Sequence, residues 1–215
     1  MMGGEAMLRA IKSYLAFAGI WYKLVMLVLV PILLVVVNAF VYPNKLEISI
    51  SSIFYLYIFD VTFEEFFLRG FYRKHNPILF FMQTSPRFCD TINKIVIIDF
   101  VRRVVVYQIP VFVVSCRSIG DEAVMEWCRT LSFMSWIGVL LAQAFVFLMR
   151  HCEFGRGIFA SLFWGATCFS IIRHVVERNH GVAMSAIYIL IILVLVIAVA
   201  TVWYTDKKMK ESYYD

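Results

Sequence analysis

The sequence predicts an all-α integral membrane protein with six transmembrane helices, both termini in the cytosol and an interfacial helix at the N-terminus. Of its 215 residues, 62% are hydrophobic and only 16% are charged, whereas about a quarter of the residues in soluble domains are charged. The apolar stretches have room for six spans at the roughly 20 residues that a spanning helix needs. We therefore expect a single transmembrane domain, without a separate nucleotide-binding or hydrolytic module.

The distribution of basic residues predicts the orientation in the plasma membrane. With the N-terminus inside, fifteen of the twenty Lys and Arg residues fall on the cytosolic side, which agrees with the excess of basic residues in cytoplasmic loops. The net charge of +5 is thus explained as a topology signal, and no nucleic-acid partner is expected. The five basic residues on the outer side are Lys45, Arg117, Arg129, Arg173 and Arg178.

Residues 5–22 are predicted to form the interfacial helix. Leu8, Ile11 and Leu15 share one helical face, and Arg9 lies on the opposite one. This pattern is typical of helices that lie in the plane of the lipid headgroups. The residues expected to anchor it at headgroup level are Trp21 and Tyr22.

The six spans are predicted at apolar runs that are separated by short polar links. The first contains Pro31, which predicts a kink, and its long apolar run without a small-residue cleavage site favours a retained span over a signal peptide. Gly138 predicts that the fourth span packs closely against a neighbouring helix, and Gly165 predicts the same for the fifth span. In chain order the spans are 24–41, 46–68, 93–115, 126–149, 157–176 and 182–204.

Residues 69–92 form the one long polar interruption, a loop expected on the cytosolic side. A short apolar helix is predicted within it, from Pro77 to Met82. At Ser85-Pro86 a new helix is predicted to begin, because a Ser hydroxyl can cap a backbone N–H and Pro fits the first helical position. An apolar helix in a cytosolic loop indicates a partner surface, since it would otherwise avoid water.

Charged residues enter the second and third spans at matching depths near the cytosolic boundary. Burying one such charge costs at least about 2.5 to 3.5 kcal/mol, so these residues require an explanation. One interpretation is an ion or proton pathway, and the other is an interhelical charge clamp. We favour the clamp because the charges cluster at one boundary and not at the membrane midplane. The clamp residues are Asp60, Glu64, Asp99, Arg102 and Arg103.

Other patterns of catalytic or metal-binding residues are weak. The four His residues lie in different links without metal-ligand spacing, and neither a GxSxG nor a GxxxxGK[ST] motif occurs. No catalytic residue, metal or bound cofactor is therefore expected, and any ATP used would be hydrolysed by another chain. The five cysteines give no disulfide framework, and a bond between Cys116 and Cys128 is left open.

The central loop also carries a family resemblance. Thr84-Ser85-Pro86-Arg87, between the short apolar helix and the third span, resembles the motif that opens span three in small permease subunits of bacterial type-2 ABC exporters. Those proteins have six spans, cytosolic termini and an elbow helix, here residues 5–22. Their loop holds a coupling helix that docks on a separate ATPase. The coupling residues implied here are Ile78, Leu79, Phe80, Phe81, Met82, Thr84, Ser85, Pro86 and Arg87.

The resemblance implies an ATP-driven exporter assembled from several chains. The partners would be a separate ABC ATPase, which holds ATP and Mg²⁺, and a second permease chain, identical or paralogous, in the lipid bilayer. Spans rich in Phe, Val and Leu favour a hydrophobic or amphipathic cargo, with a peptide preferred over a lipid or a drug. Two alternatives stay open. One is a non-ABC six-span protein, either a proton-coupled carrier or a membrane-embedded enzyme, and the other is an immunity or assembly factor.

Overall fold

The computed structural model of the chain is all-helical over the residues that it describes. These residues are 8, 11, 12, 14, 15, 20–41, 46–72, 88–116, 122–148, 154–179 and 182–214. No strand occurs within these ranges. The all-α class predicted from the composition is therefore confirmed.

Six helical stretches follow one another in the described chain. We call them α1 to α6, and most of them extend beyond the apolar run that predicted them. The first, α1, is a continuous run of α-helix Ile20–Tyr22, π-helix Lys23–Leu29, α-helix Val30–Val36 and π-helix Val37–Val41. The others are α2 (Leu46–Tyr72), α3 (Phe88–Ser115), α4 (Glu122–Leu148), α5 (Phe154–Asn179) and α6 (Met184–Tyr214).

Pro31 coincides with a change of helix type in α1. It occupies the beginning of the α-helical segment Val30–Val36, directly after the π-helical segment Lys23–Leu29. A Pro has no N–H to donate and is tolerated in the first turn of a helix. The switch from i→i+5 to i→i+4 hydrogen bonding thus falls where the chain lacks a donor.

Helix α4 lies at the centre of the bundle, in contact with α2, α3, α5 and α6. Its inner face carries fully buried Leu131, Met134 and Val139. Gly138 lets α3 approach closely, because a Cβ atom there would overlap the Tyr107 ring. Gly165 of α5 serves the same purpose towards α2, where its Cβ would lie 2.9 Å from Oη of Tyr57. The close packing predicted at these two glycines is confirmed.

Much of the bundle surface is apolar, while four charged side chains, Asp60, Asp99, Arg102 and Arg103, are buried inside. Within the described residues, three helical stretches are long and apolar enough to cross a membrane: Ile20–Phe40, Glu122–Phe145 and Met184–Lys207. Large apolar side chains such as Phe40 and Val199 are exposed on them. An exposed apolar surface of this extent marks association with a membrane. The part of the prediction that the structure supports is thus an all-helical chain with membrane-spanning character.

Candidate functional site

The candidate site is a cluster of four buried charges between α2 and α3. Asp60 comes from α2, while Asp99, Arg102 and Arg103 come from one turn of α3. The i, i+3 and i+4 spacing on α3 places its three side chains on neighbouring positions of one helical face. Asp60 and Arg103 are each only 1% exposed, and Asp99 and Arg102 are also buried.

Each arginine contacts both carboxylates. Arg102 reaches Oδ1 of Asp99 through Nε at 2.8 Å and Oδ1 of Asp60 through Nη2 at 2.6 Å. Arg103 reaches Oδ2 of Asp60 through Nε at 3.0 Å and Oδ2 of Asp99 through Nη2 at 2.7 Å. The four charges form a closed ring with no net charge, which is the arrangement that buried ions need to offset desolvation. Among the described side chains, Asp60 is the only member from α2, and it joins that helix to α3.

Two tyrosines of the N-terminal region complete the shell of Asp99. The hydroxyls of Tyr14 and Tyr22 both donate to Oδ1 of Asp99 at 3.0 Å, and they lie 3.0 Å from each other. The Arg102 guanidinium also lies over the Tyr22 ring, 5.7 Å from its centroid, a favourable cation–π geometry. The N-terminal region is therefore held against the middle of α3.

Tyr22 corrects one prediction from the sequence. It was expected beside Trp21 as an anchor at headgroup level, yet Trp21 is 74% exposed while Tyr22 is only 4% exposed. Neighbouring residues of a helix point about 100° apart, so one can face the surroundings while the next faces the core. A buried tyrosine needs a partner for its hydroxyl, and Asp99 provides it.

Gln143 of α4 links the cluster to the central helix. Arg103 donates from Nη1 to Oε1 of Gln143 at 2.8 Å. Gln143 is fully buried, and its Nε2 has no hydrogen-bond partner among the described residues. Sequence reasoning missed Gln143 and Tyr14. The signal available for Gln143 was an amide within an otherwise apolar span, which requires a buried partner.

The remaining predicted site residues have different outcomes. Asp60, Asp99, Arg102 and Arg103 are in mutual contact. They lie at mid-length of their helices, deeper than the position near the cytosolic boundary that was expected from the sequence. Asp60 is the fifteenth of the 27 residues in α2, and Arg102 is the fifteenth of the 28 in α3. The backbone of Glu64 belongs to α2, but its side chain lies outside the described part of the chain. The predicted coupling residues, Ile78 to Met82 and Thr84 to Arg87, also lie outside the described residues.

A groove runs along the bundle beside the cluster, between α3, α4 and α6. Its volume is about 470 Å³. Gln143 contributes to its inner wall, and Asn93 and Asp206 form a polar end, where Nδ2 of Asn93 donates to Oδ1 of Asp206 at 3.1 Å. The remaining walls are apolar: Val96, Ile97, Phe100, Leu195, Ala198, Val199, Val202 and Trp203.

Metal and thiol chemistry find little support in the described part of the chain. No three His, Cys, Asp or Glu side chains come together there as metal ligands. Cys116 and Cys128, whose pairing the sequence left open, are both free thiols.

Comparison of the chain with protein-family models, with curated proteins and with solved structures finds no match in any of the three. What the chain does is therefore inferred from the cluster, the groove and the layout of the helices.

Proposed function

We propose that this chain is the transmembrane subunit of an ATP-driven ABC exporter, which moves a hydrophobic or amphipathic substrate out of the cell with a separate ATPase subunit. The observation that carries the proposal is the buried ring of charges that joins α2 to α3. These are the two helices that flank the loop with the coupling motif, since α2 ends at Tyr72 and α3 begins at Phe88. A force applied to that loop would reach both helices.

The ring of charges suits the transmission of such a force. Asp60 lies twelve residues before Tyr72, about 18 Å along the helix axis. The cluster thus connects α2 and α3 well away from the loop, and Gln143 extends the connection to α4. Buried charge pairs resist separation because parting them would leave uncompensated ions in a medium of low dielectric constant. In this proposal, α2 and α3 tilt as one body when the ATPase pair closes on ATP and Mg²⁺.

The proposed arrangement has six spans with both termini in the cytosol. Within the described residues, three helical stretches are apolar enough to cross by themselves. The charged residues of α2 and α3 are the main obstacle to a membrane crossing by these two helices. The ring neutralises four of these charges inside the bundle. Polar and charged residues in membrane helices face the bundle interior in this way.

A proton-coupled carrier or a membrane-embedded enzyme is less well supported. Each carboxylate of the ring is engaged by two guanidinium groups, so proton transfer at either one would have to break two ion pairs. The exposed apolar faces of α1 and α5 are instead available to the second permease chain that the exporter requires. They include Ile32 and Leu33 on α1 and Phe163 and Trp164 on α5.

The decisive experiment is a detergent pull-down of the tagged protein from its native membrane, with co-purifying chains identified by mass spectrometry. We expect to recover a soluble ATPase that carries its own phosphate-binding loop. Phe80→Asp should lower its recovery at least about tenfold, because an apolar anchor in a groove tolerates no charge. Phe80→Leu is the matched control and should retain the ATPase. Recovery of this chain alone, under conditions that preserve other membrane complexes, would refute the proposal.

A further inference from the structure

We propose that the groove between α3, α4 and α6 binds a neutral amphiphile, with a carbonyl or ether oxygen of this ligand accepting a hydrogen bond from Nε2 of Gln143. The site does not depend on the exporter function, because its groove and its free donor belong to this chain alone. A volume of about 470 Å³ falls within the range of about 300–1,000 Å³ that is typical of small-molecule sites.

The orientation of the Gln143 amide follows from its neighbour. Arginine carries only donors, so the amide oxygen must face Nη1 of Arg103, as the distance of 2.8 Å indicates. The amide nitrogen then points away from the ring of charges. It lies buried in the groove wall with no partner among the described residues. Leaving such a donor unsatisfied costs about 1–3 kcal/mol, which a ligand with an acceptor oxygen would recover.

The opposite end of the groove carries the complementary atom. Asn93 donates through Nδ2 to Asp206, which leaves Oδ1 of Asn93 as a buried acceptor without a partner in the described chain. A hydroxyl or N–H at the polar end of the ligand would satisfy it. Between the two ends the walls are apolar, so the body of the ligand must be hydrocarbon.

The depth of Gln143 distinguishes this ligand from an ordinary bilayer lipid. Arg103, which holds Gln143, follows Asn93 by ten residues, or about 15 Å along α3. In the proposed membrane arrangement, Trp203 and Lys207 are interfacial anchors. The end of the groove at Asn93 therefore lies at headgroup level. A glycerolipid carries its ester carbonyls at headgroup level and would offer only hydrocarbon to Gln143. A ligand that fits the groove therefore carries its acceptor oxygen deep in the hydrocarbon region.

The charge balance of the cluster indicates that this oxygen is uncharged. Two aspartates and two arginines already compensate each other behind Gln143. An ionic head placed at this depth would be a fifth, uncompensated charge, which the membrane interior disfavours. A carbonyl or ether oxygen supplies an acceptor without that cost.

Photolabelling of the purified full chain in phospholipid nanodiscs tests the site. The probe is a 4-alkylbenzophenone whose alkyl chain ends in a hydroxyl, so that one molecule carries the deep carbonyl, the apolar body and the donor. We expect saturable adducts on Val96 to Phe100 and on Leu195 to Val199. A non-photoreactive alcohol of the same length with a ketone at the same depth should compete for this labelling at about tenfold lower concentration than the matching alcohol without a ketone, in line with the loss of one buried hydrogen bond. Equal competition by the two alcohols would show a groove filled by any hydrocarbon and would overturn the proposal.

Two substitutions locate the labelling within the groove. Val199→Trp fills the groove and should reduce the adducts at least about fivefold. Its matched control is Val196→Trp, since Val196 is 59% exposed on α6 but does not line the groove, whereas Val199 is 68% exposed and does. The control should label like the unmodified chain. Unchanged labelling of the Val199→Trp protein would place the probe elsewhere.

A third substitution tests the donor itself. Gln143→Met removes the N–H without adding a charge, while Arg103 keeps its contacts with Asp60 and Asp99. Labelling by the benzophenone probe should fall about tenfold while the protein still elutes as a single species. Undiminished labelling would exclude Gln143 as the donor. Since no ATPase is present in this assay, its result is independent of the pull-down that tests the proposed function.

Discussion

Asp60 carries the connection between two helices with a single side chain. Of the α2 side chains that the structure describes, it is the only acid in the ring, and it accepts from both arginines of α3 at 2.6 and 3.0 Å. We predict that Asp60→Asn destabilises the protein by about 3–5 kcal/mol, because it leaves a buried positive charge without compensation. The measurement is the thermal midpoint of the detergent-solubilised protein, followed by fluorescence-detected size exclusion.

Asp90→Asn is the matched control for this substitution. Asp90 belongs to α3, and it is exposed and pairs with Lys94 at the surface, where an ion pair contributes about 0–1 kcal/mol. The thermal midpoint of the Asp90→Asn variant should be close to that of the unmodified protein. The double variant Asp60→Asn with Arg103→Gln restores a neutral cluster and should recover part of the loss. A midpoint for Asp60→Asn as high as that of Asp90→Asn would contradict the clamp.

The sequence identified the charged members of the site but not their uncharged partners. Asp60, Asp99, Arg102 and Arg103 are conspicuous because charges are rare in apolar segments. Tyr14 and Tyr22 are not conspicuous, since a tyrosine near a membrane boundary can be a headgroup anchor as well as a buried donor. Only the fold shows that Tyr22 meets a carboxylate 77 positions away. Local patterns carry no information about a contact of that separation.

At the scale of helices, the contact between α3 and α4 depends on Gly138. A Cβ there would overlap the ring of Tyr107, which is completely buried. We predict that Gly138→Ala costs about 1–3 kcal/mol, the usual range for overpacking a core. In a Tyr107→Leu background the same substitution should cost clearly less, and the double-mutant cycle measures this difference. An equal cost in both backgrounds would show that the ring does not set the helix separation.

Helix ends were harder to predict than helix positions. The third span was expected over 93–115, and the helix runs from Phe88 to Ser115. The sixth was expected over 182–204, and the helix continues to Tyr214. Hydropathy marks only the part of a helix that is apolar, whereas polar turns with pairs such as Asp90 and Lys94 continue the same backbone hydrogen bonding.

On the scale of the whole molecule, the central question is whether α2, α3 and α5 cross the membrane together with the three apolar helices. Six crossings place the first turn of α3 in the cytosol, whereas three crossings by α1, α4 and α6 place it outside. Cys89 lies in that first turn and therefore distinguishes the two arrangements. Cys116, directly after α3, is outside in both and is exposed. Cys152, in the link after α4, is inside in both.

We predict six crossings, because moving the basic residues beside Cys89 to the outer face would reverse the charge asymmetry of the chain. In intact cells, a membrane-impermeant maleimide should modify a variant that retains only Cys116, but not variants that retain only Cys89 or only Cys152. After permeabilisation it should reach Cys152, which shows that the reagent works on the inner side. Modification of Cys89 in intact cells would put the loop between α2 and α3 outside, beyond the reach of a cytosolic ATPase. The ring of charges would then have no force from that loop to transmit, and the groove would have to be explained without an exporter.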